Sequence, residues 1–203
     1  FNTPRATSSV PAKTEPLTNT DLIGRSLITD YIGLASSGQA SEANIEALAN
    51  KYIEGLPNLS RSEVLNYGDI RVVTNTPANF QTYADEITRI HSVYAATVMG
   101  AESSKVNFST PNPALYKFAE SFSAAYNEAA RALKSLPAPA GLAAAHLALI
   151  NSYLSSSEGM AAISNIENDS ATAFAGVINL NNNLKKEDLI RAEITKILTS
   201  NGI

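Results

Sequence analysis

The chain has 203 residues, with 15 Lys and Arg against 19 Asp and Glu, two His, and neither Cys nor Trp. A net charge of −4 argues against a nucleic-acid binder, which needs a basic stripe. Zero Cys removes disulfide frameworks, Cys-ligated zinc, iron–sulfur clusters and thiol nucleophiles together. At 44% hydrophobic and 17% charged the composition is globular, and the length suits one domain.

Residues 1–16 hold three prolines and many Ser and Thr, with no apolar periodicity. Such a stretch cannot bury enough surface to offset the entropy of ordering, so it is expected to be a flexible linker. We expect a tether following a signal or anchor segment upstream of Phe1, with a trimmed end as the alternative.

From there helical periodicity dominates. The first helix is predicted from about Thr18 to Ala35, with Leu22, Leu27, Tyr31 and Leu34 near one face. Thr20 or Thr18 is its N-cap, and Gly38 ends it. Ser41 caps a second helix, in which Ile45, Leu48, Tyr52 and Ile53 form the stripe, and Pro57 closes it. Asp69 to Thr74 is short and β-branched, without a clear partner strand. It is expected to be an extended crossover, with a small two-stranded ribbon as the alternative.

Thr76-Pro77 is a helix start, and Phe80, Tyr83, Ile87, Ile90, Tyr94 and Val98 follow at spacings of three and four, up to Gly100. Ser109 to Pro113 is another start, leading to Leu115, Phe118, Phe122, Tyr126, Ala129 and Leu133. Pro137-Ala138-Pro139 reads as a stiff turn. The next helix carries Leu142, His146, Leu149 and Tyr153 towards Ile166, with a bend expected near Ser155–Ser157 and Gly159. Although Ser135 to Ser157 is uncharged, Pro137, Pro139, His146, Asn151 and several serines make it a buried bundle helix rather than a membrane span. Asn168-Asp169-Ser170 caps a last long helix bearing Phe174, Val177, Ile178, Leu184, Leu189, Ile194 and Ile197, which Asn201-Gly202 ends. The expected fold is all-α: an antiparallel bundle of about six helices over residues 17–203, with one short extended crossover near 69–74.

No phosphate-binding Gly-rich loop, HExxH pair, nucleophile elbow or EF-hand loop is present in the sequence. Asp85, Glu86 and His91 lack the Glu-x-x-His spacing of carboxylate-bridged metal sites. No catalytic residues, metal or cofactor are therefore assigned, and no enzymatic activity is expected. His146 stands out on an apolar stripe between Leu142 and Leu149. It is either a buried histidine hydrogen-bonded to a backbone carbonyl or another helix, or a ligand- or proton-sensing group. His91 reads as a boundary residue. The tyrosines recur on apolar faces and are expected to bury their rings; a Tyr-lined pocket would make Tyr126 and Tyr153 ligand-binding candidates beside His146. Lys185, Lys186, Arg191 and Lys196, mixed with Glu187, Asp188 and Glu193, suggest a solvated face. The Asn-x-Ser triplets at Asn58, Asn107 and Asn168 carry no assignment.

Several segments together carry a resemblance: Leu17-Thr18 and Asp21; Asp69-Ile70-Arg71-Val72-Val73; Leu136-Pro137-Ala138-Pro139; Leu142-Ala143, His146 and Asn151; Asn168-Asp169; and Asn201-Gly202-Ile203. With these the chain resembles a family of all-helical, membrane-tethered extracytoplasmic proteins of ultra-small candidate-phylum bacteria, a family with no assigned activity. Members carry Asp-Pro where this chain has Asp169-Ser170, a difference that keeps the cap and loses a rigid first turn. The resemblance implies an upstream membrane anchor, a location outside the cytoplasmic membrane, and association with type IV pilus or secretion machinery. The expected function is thus a structural or protein-interaction role in the cell envelope, with a protein partner and no nucleic acid. A ligand-sensing domain of a membrane-anchored receptor is the alternative, and an enzyme the third.

Overall fold

The computed structural model describes residues 17–39, 41–56, 64–100 and 113–203. The expected linker over 1–16, Pro57, Asn58, Asn107, Ser109 and the side chains of Tyr31, Ile53, Val98 and Leu115 lie outside the described set. The described chain is all-α: six helices, α1 (Asn19–Ser36), α2 (Glu42–Glu54), α3 (Pro77–Gly100), α4 (Pro113–Ser135), α5 (Ala143–Ser164) and α6 (Ser170–Ser200), joined by one minimal two-stranded sheet.

Local chemistry sets the helix ends. Thr18 caps α1 by accepting from the Asp21 amide at 3.1 Å, while Asp21 Oδ2 accepts from the Thr18 amide at 3.0 Å. Thr20 is spent elsewhere: its hydroxyl donates to Asp169 Oδ1 at 2.8 Å and accepts from the Ala171 amide at 2.9 Å, at the start of α6. Ser41 caps α2 and Thr76 caps α3, each accepting from the amide three residues on. Asp169 caps α6 by accepting from the Thr172 amide at 3.1 Å. Gly38 and Gly202, with φ of 70° and 80°, follow α1 and α6 in the left-handed region that a glycine enters without a Cβ penalty.

The partner of the short extended segment is the stretch read as a turn. β1 (Val72–Val73) pairs in parallel with β2 (Ala138–Pro139), Val72 opposite Ala138 and Val73 opposite Pro139. Two of the three residues in Pro137-Ala138-Pro139 are prolines without an amide hydrogen. The Ala138 amide alone can donate, and it does so to the Arg71 carbonyl at 2.9 Å.

The core lies where α3, α4, α5 and α6 meet, around fully buried Tyr83, Leu133, Leu142, Leu149, Ile150 and Tyr153. Side-chain pairs fix the directions. Ser123 with Ser157 and Tyr126 with Tyr153 make α4 and α5 antiparallel; Tyr83 with His146 and His91 with Tyr153 make α3 and α5 parallel. α5 stays helical through Ser155–Ser157 and Gly159, where the sequence suggests a bend. Those small residues let α6 approach: a Cβ on Gly176 would stand 2.6 Å from the Gly159 carbonyl oxygen.

That closeness changes the inner face over most of α6, whereas Ile194 and Ile197 pack inward as expected. The inner face is Ala173, Gly176, Leu180, Asn183, Glu187, Ile190 and Ile194, spaced three and four apart. Phe174, Val177, Ile178, Leu184 and Leu189, read as core, are 38–73% exposed. Large side chains cannot enter a seam where backbones nearly touch, so small and polar groups fill it. Leu22 and Leu27 of α1 are likewise exposed, against the expectation of one inward stripe.

Candidate functional site

The three sequence candidates divide between two places on the inner face of α5. His146 is completely buried, and its Nδ1 lies 3.0 Å from the Tyr83 hydroxyl of α3, ring edge to ring face. With the phenol donating, the imidazole carries its own hydrogen on Nε2, which meets no acceptor in hydrogen-bond geometry among the described residues. Burial pulls the His146 pKa down to about 4, partly opposed by the neighbouring Leu133 carbonyl. Burial also pushes the Tyr83 phenol well above its ordinary range. The pair is neutral at neutral pH and joins two helices.

Two turns further along α5, Tyr153 and Tyr126 do come together, centroids 5.4 Å apart and nearly perpendicular. Tyr94 of α3 touches both, stacked on Tyr153 at 5.9 Å and tilted against Tyr126 at 5.0 Å. Arg191 of α6 donates from Nη2 to the Tyr153 hydroxyl at 2.7 Å, and its guanidinium lies over that ring at 5.7 Å. Glu187, 2% exposed, accepts from Ser156 Oγ at 2.8 Å and faces Arg191 at 3.6 Å. Burial raises the Glu187 pKa, against the Ser156 hydrogen bond and the Arg191 charge. The Tyr153 phenol is pushed up to about 12, chiefly by burial.

Sequence reasoning missed Glu187 and Arg191 in this group, whereas His91 is half-buried, as a boundary residue should be. Glu187 and Arg191 were expected on a solvated face; the 3-4 repeat of the inner α6 face turns Glu187 inward instead, and Arg191 follows one turn later. His91, read as a boundary residue, packs against Tyr153 at 6.2 Å, and its pKa falls to about 4 through burial and the nearby Arg191 charge. His91 Nε2 and Arg191 Nε are buried without a hydrogen-bond partner among the described residues. The signal was present in principle: Ala173 to Ile194 repeats at three and four, but Ala173, Gly176, Asn183 and Glu187 within it are small or polar.

Chemically these groups are a packed polar seam. Tyr153 and His146 have no exposed surface, so neither reaches solvent without a helix moving. Among the described residues no three His, Asp or Glu side chains converge as metal ligands, and no helix is long and apolar enough to cross a membrane. No family model matches the chain, and neither a curated protein nor a solved structure matches it at a significant level.

The outer surface differs. Phe174, Val177 and Ile178 cluster on one side of α6 at 48, 47 and 38% exposure, followed by Leu184 one to two turns on. The Asp30–Lys51 ion pair, 2.8 Å, and the Tyr52 hydroxyl, 2.9 Å from Asp30, tie α1 to α2. Asn19 and Thr20 tie α1 to the start of α6. The apolar cluster on α6 therefore lies just beyond the joint between α1 and α6.

Proposed function

We propose that this domain is a protein-interaction element of the cell envelope that engages a partner through the outer face of α6. One observation carries the reading: in the first half of α6 Phe174, Val177, Ile178 and Leu184 are exposed, and of its large apolar side chains Leu180 alone packs inward, beside Ala173, Gly176 and Asn183. Burying Phe174, Val177, Ile178 and Leu184 against a partner would gain the hydrophobic term that the monomer forgoes. The extracytoplasmic location and the association with pilus or secretion machinery belong to the same proposal and rest on the family resemblance. The reading assigns no reaction, cofactor or metal. The ligand-sensing alternative gains nothing from His146, Tyr126 or Tyr153, which are packed among core side chains.

The test is a photo-crosslinking residue placed at Val177 in cells that make the protein, with one at exposed Thr88 of α3 as control. A discrete adduct at Val177 that disappears in Phe174→Asp, while the variant's melting temperature holds, is the expected result. Equal adducts at both positions, or an adduct indifferent to Phe174→Asp, would overturn the reading.

A further inference from the structure

A recess of about 290 Å³ opens between α4, α5 and the segment that precedes β1. We infer that it binds a small carboxylate carried on a short branched apolar group. Its floor is apolar: Leu65 and Ala130 are buried at 4 and 1% exposure, with half-buried Leu154 beside them. One side is polar and comes from a single face of α4, where Asn127, Arg131 and Lys134 follow at i, i+4 and i+7.

The wall across from α4 is held in place. Asn151 of α5 takes both backbone groups of Leu65, accepting from its amide at 3.0 Å and donating to its carbonyl at 2.9 Å. The polar groups at the rim are not equivalent. Ser157 spends its hydroxyl on the Ser123 carbonyl at 2.8 Å. Lys134 and Glu158, of opposite sign, both have interactions of their own. The Arg131 guanidinium and the half-buried Asn127 amide take no hydrogen bond or ion pair among the described residues. Among the described residues the Arg131 guanidinium and the Asn127 amide are thus unpaired above an apolar floor, while the Glu158 Oε2 atom, buried away from water, also takes no hydrogen bond.

A planar guanidinium pairs with a carboxylate through two parallel N–H donors, and the amide supplies a third. The floor selects against bare inorganic anions, which would leave Leu65 and Leu154 uncovered. The volume lies at the small end of ligand sites, which limits the tail to a few carbons. This recess shares no residue with the outer face of α6, so either reading can fail alone.

The experiment is a titration of the full chain with 4-methylpentanoate, its primary amide and inorganic phosphate, followed by backbone amide NMR. Saturable shifts at Leu65, Ala130 and Leu154 with 4-methylpentanoate are expected. Binding should weaken about tenfold or more for Arg131→Gln, the scale of a charged hydrogen-bond pair, and less for Asn127→Ala. Both positions face solvent or the recess, and Arg89→Gln on α3 serves as control and should bind like the parent. The amide should bind more weakly than the acid. Phosphate binding as tightly as the acid, affinity unchanged in Arg131→Gln, or no saturable shift in the parent would each overturn the proposal.

Discussion

Two histidines, neither of them charged in the fold at neutral pH, govern how this domain meets acid. Both His91 and His146 have folded pKa values near 4, below the unfolded reference of about 6.5, because burial disfavours the imidazolium. The unfolded chain then binds protons that the fold refuses. Their contribution to stability is complete above about pH 6.5 and is lost as pH falls towards about 4. Glu187 works in the opposite sense, since its raised pKa means that acid relieves a buried charge, but it titrates from a lower starting value. Urea denaturation at pH 7.5 and pH 5 should therefore show a clear loss of stability at the lower pH, smaller in His146→Gln, which retains a hydrogen-bond partner for Tyr83. His146→Ala should cost about 1–3 kcal/mol at pH 7.5, from the cavity and the stranded Tyr83 hydroxyl. A parent protein equally stable at both pH values would contradict the buried, neutral assignment.

Between helices, the decisive contact is backbone against backbone. A Cβ on Gly176 would lie 2.6 Å from the Gly159 oxygen and 3.0 Å from the Ala162 Cβ, neither able to swing aside. Gly176→Ala should cost about 1–3 kcal/mol through forced separation of α5 and α6. Gly24→Ala in α1 has nothing within 4 Å and should gain up to about 1 kcal/mol of helix propensity. Thermal melts of the two variants check both signs. The same contact explains what could be read from the residues alone. Caps and stops were legible because each is local: Ser41, Thr76, Asp169, Gly38 and Gly202 act within a turn of their own helix. The inward face of α6 was not, because its first half carries Phe174, Val177, Ile178 and Leu184 on one side and Ala173, Gly176, Leu180 and Asn183 on the other. The more apolar side loses once Gly159 and Gly176 set the spacing. Within the candidate site, the meeting of Tyr126 and Tyr153 follows from their stripes, whereas Glu187 and Arg191 depend on that spacing and His91 on the packing of α3 against α5. The strand pair was hidden by its length of two residues and by the prolines around Ala138.

At the scale of the whole molecule, α4, α5 and α6 are consecutive, antiparallel and joined by short connections, whereas the 64–76 segment reaches far along the chain to its partners. Val72 pairs with Ala138, and the Gly141 amide donates to Asn75 Oδ1 at 2.8 Å, 66 residues apart. The two hydrogen bonds between Asn151 and the Leu65 backbone span 86 residues. Closing loops of that size is paid in entropy before any contact rewards it, whereas neighbouring helices meet early. The extended strap should consequently be a late arrival in folding, clasped onto a helical nucleus that already exists. Asn151→Ala, losing about 1–2 kcal/mol, should then leave the refolding rate in stopped-flow nearly unchanged and speed unfolding by most of that amount. A variant that refolds as slowly as its stability loss allows would instead put the strap inside the nucleus. A late clasp is also the first to let go. The small recess it walls, with Leu65 at its floor, would open and close on the timescale of the strap rather than of the helices, so that occupancy there slows unfolding of the whole chain.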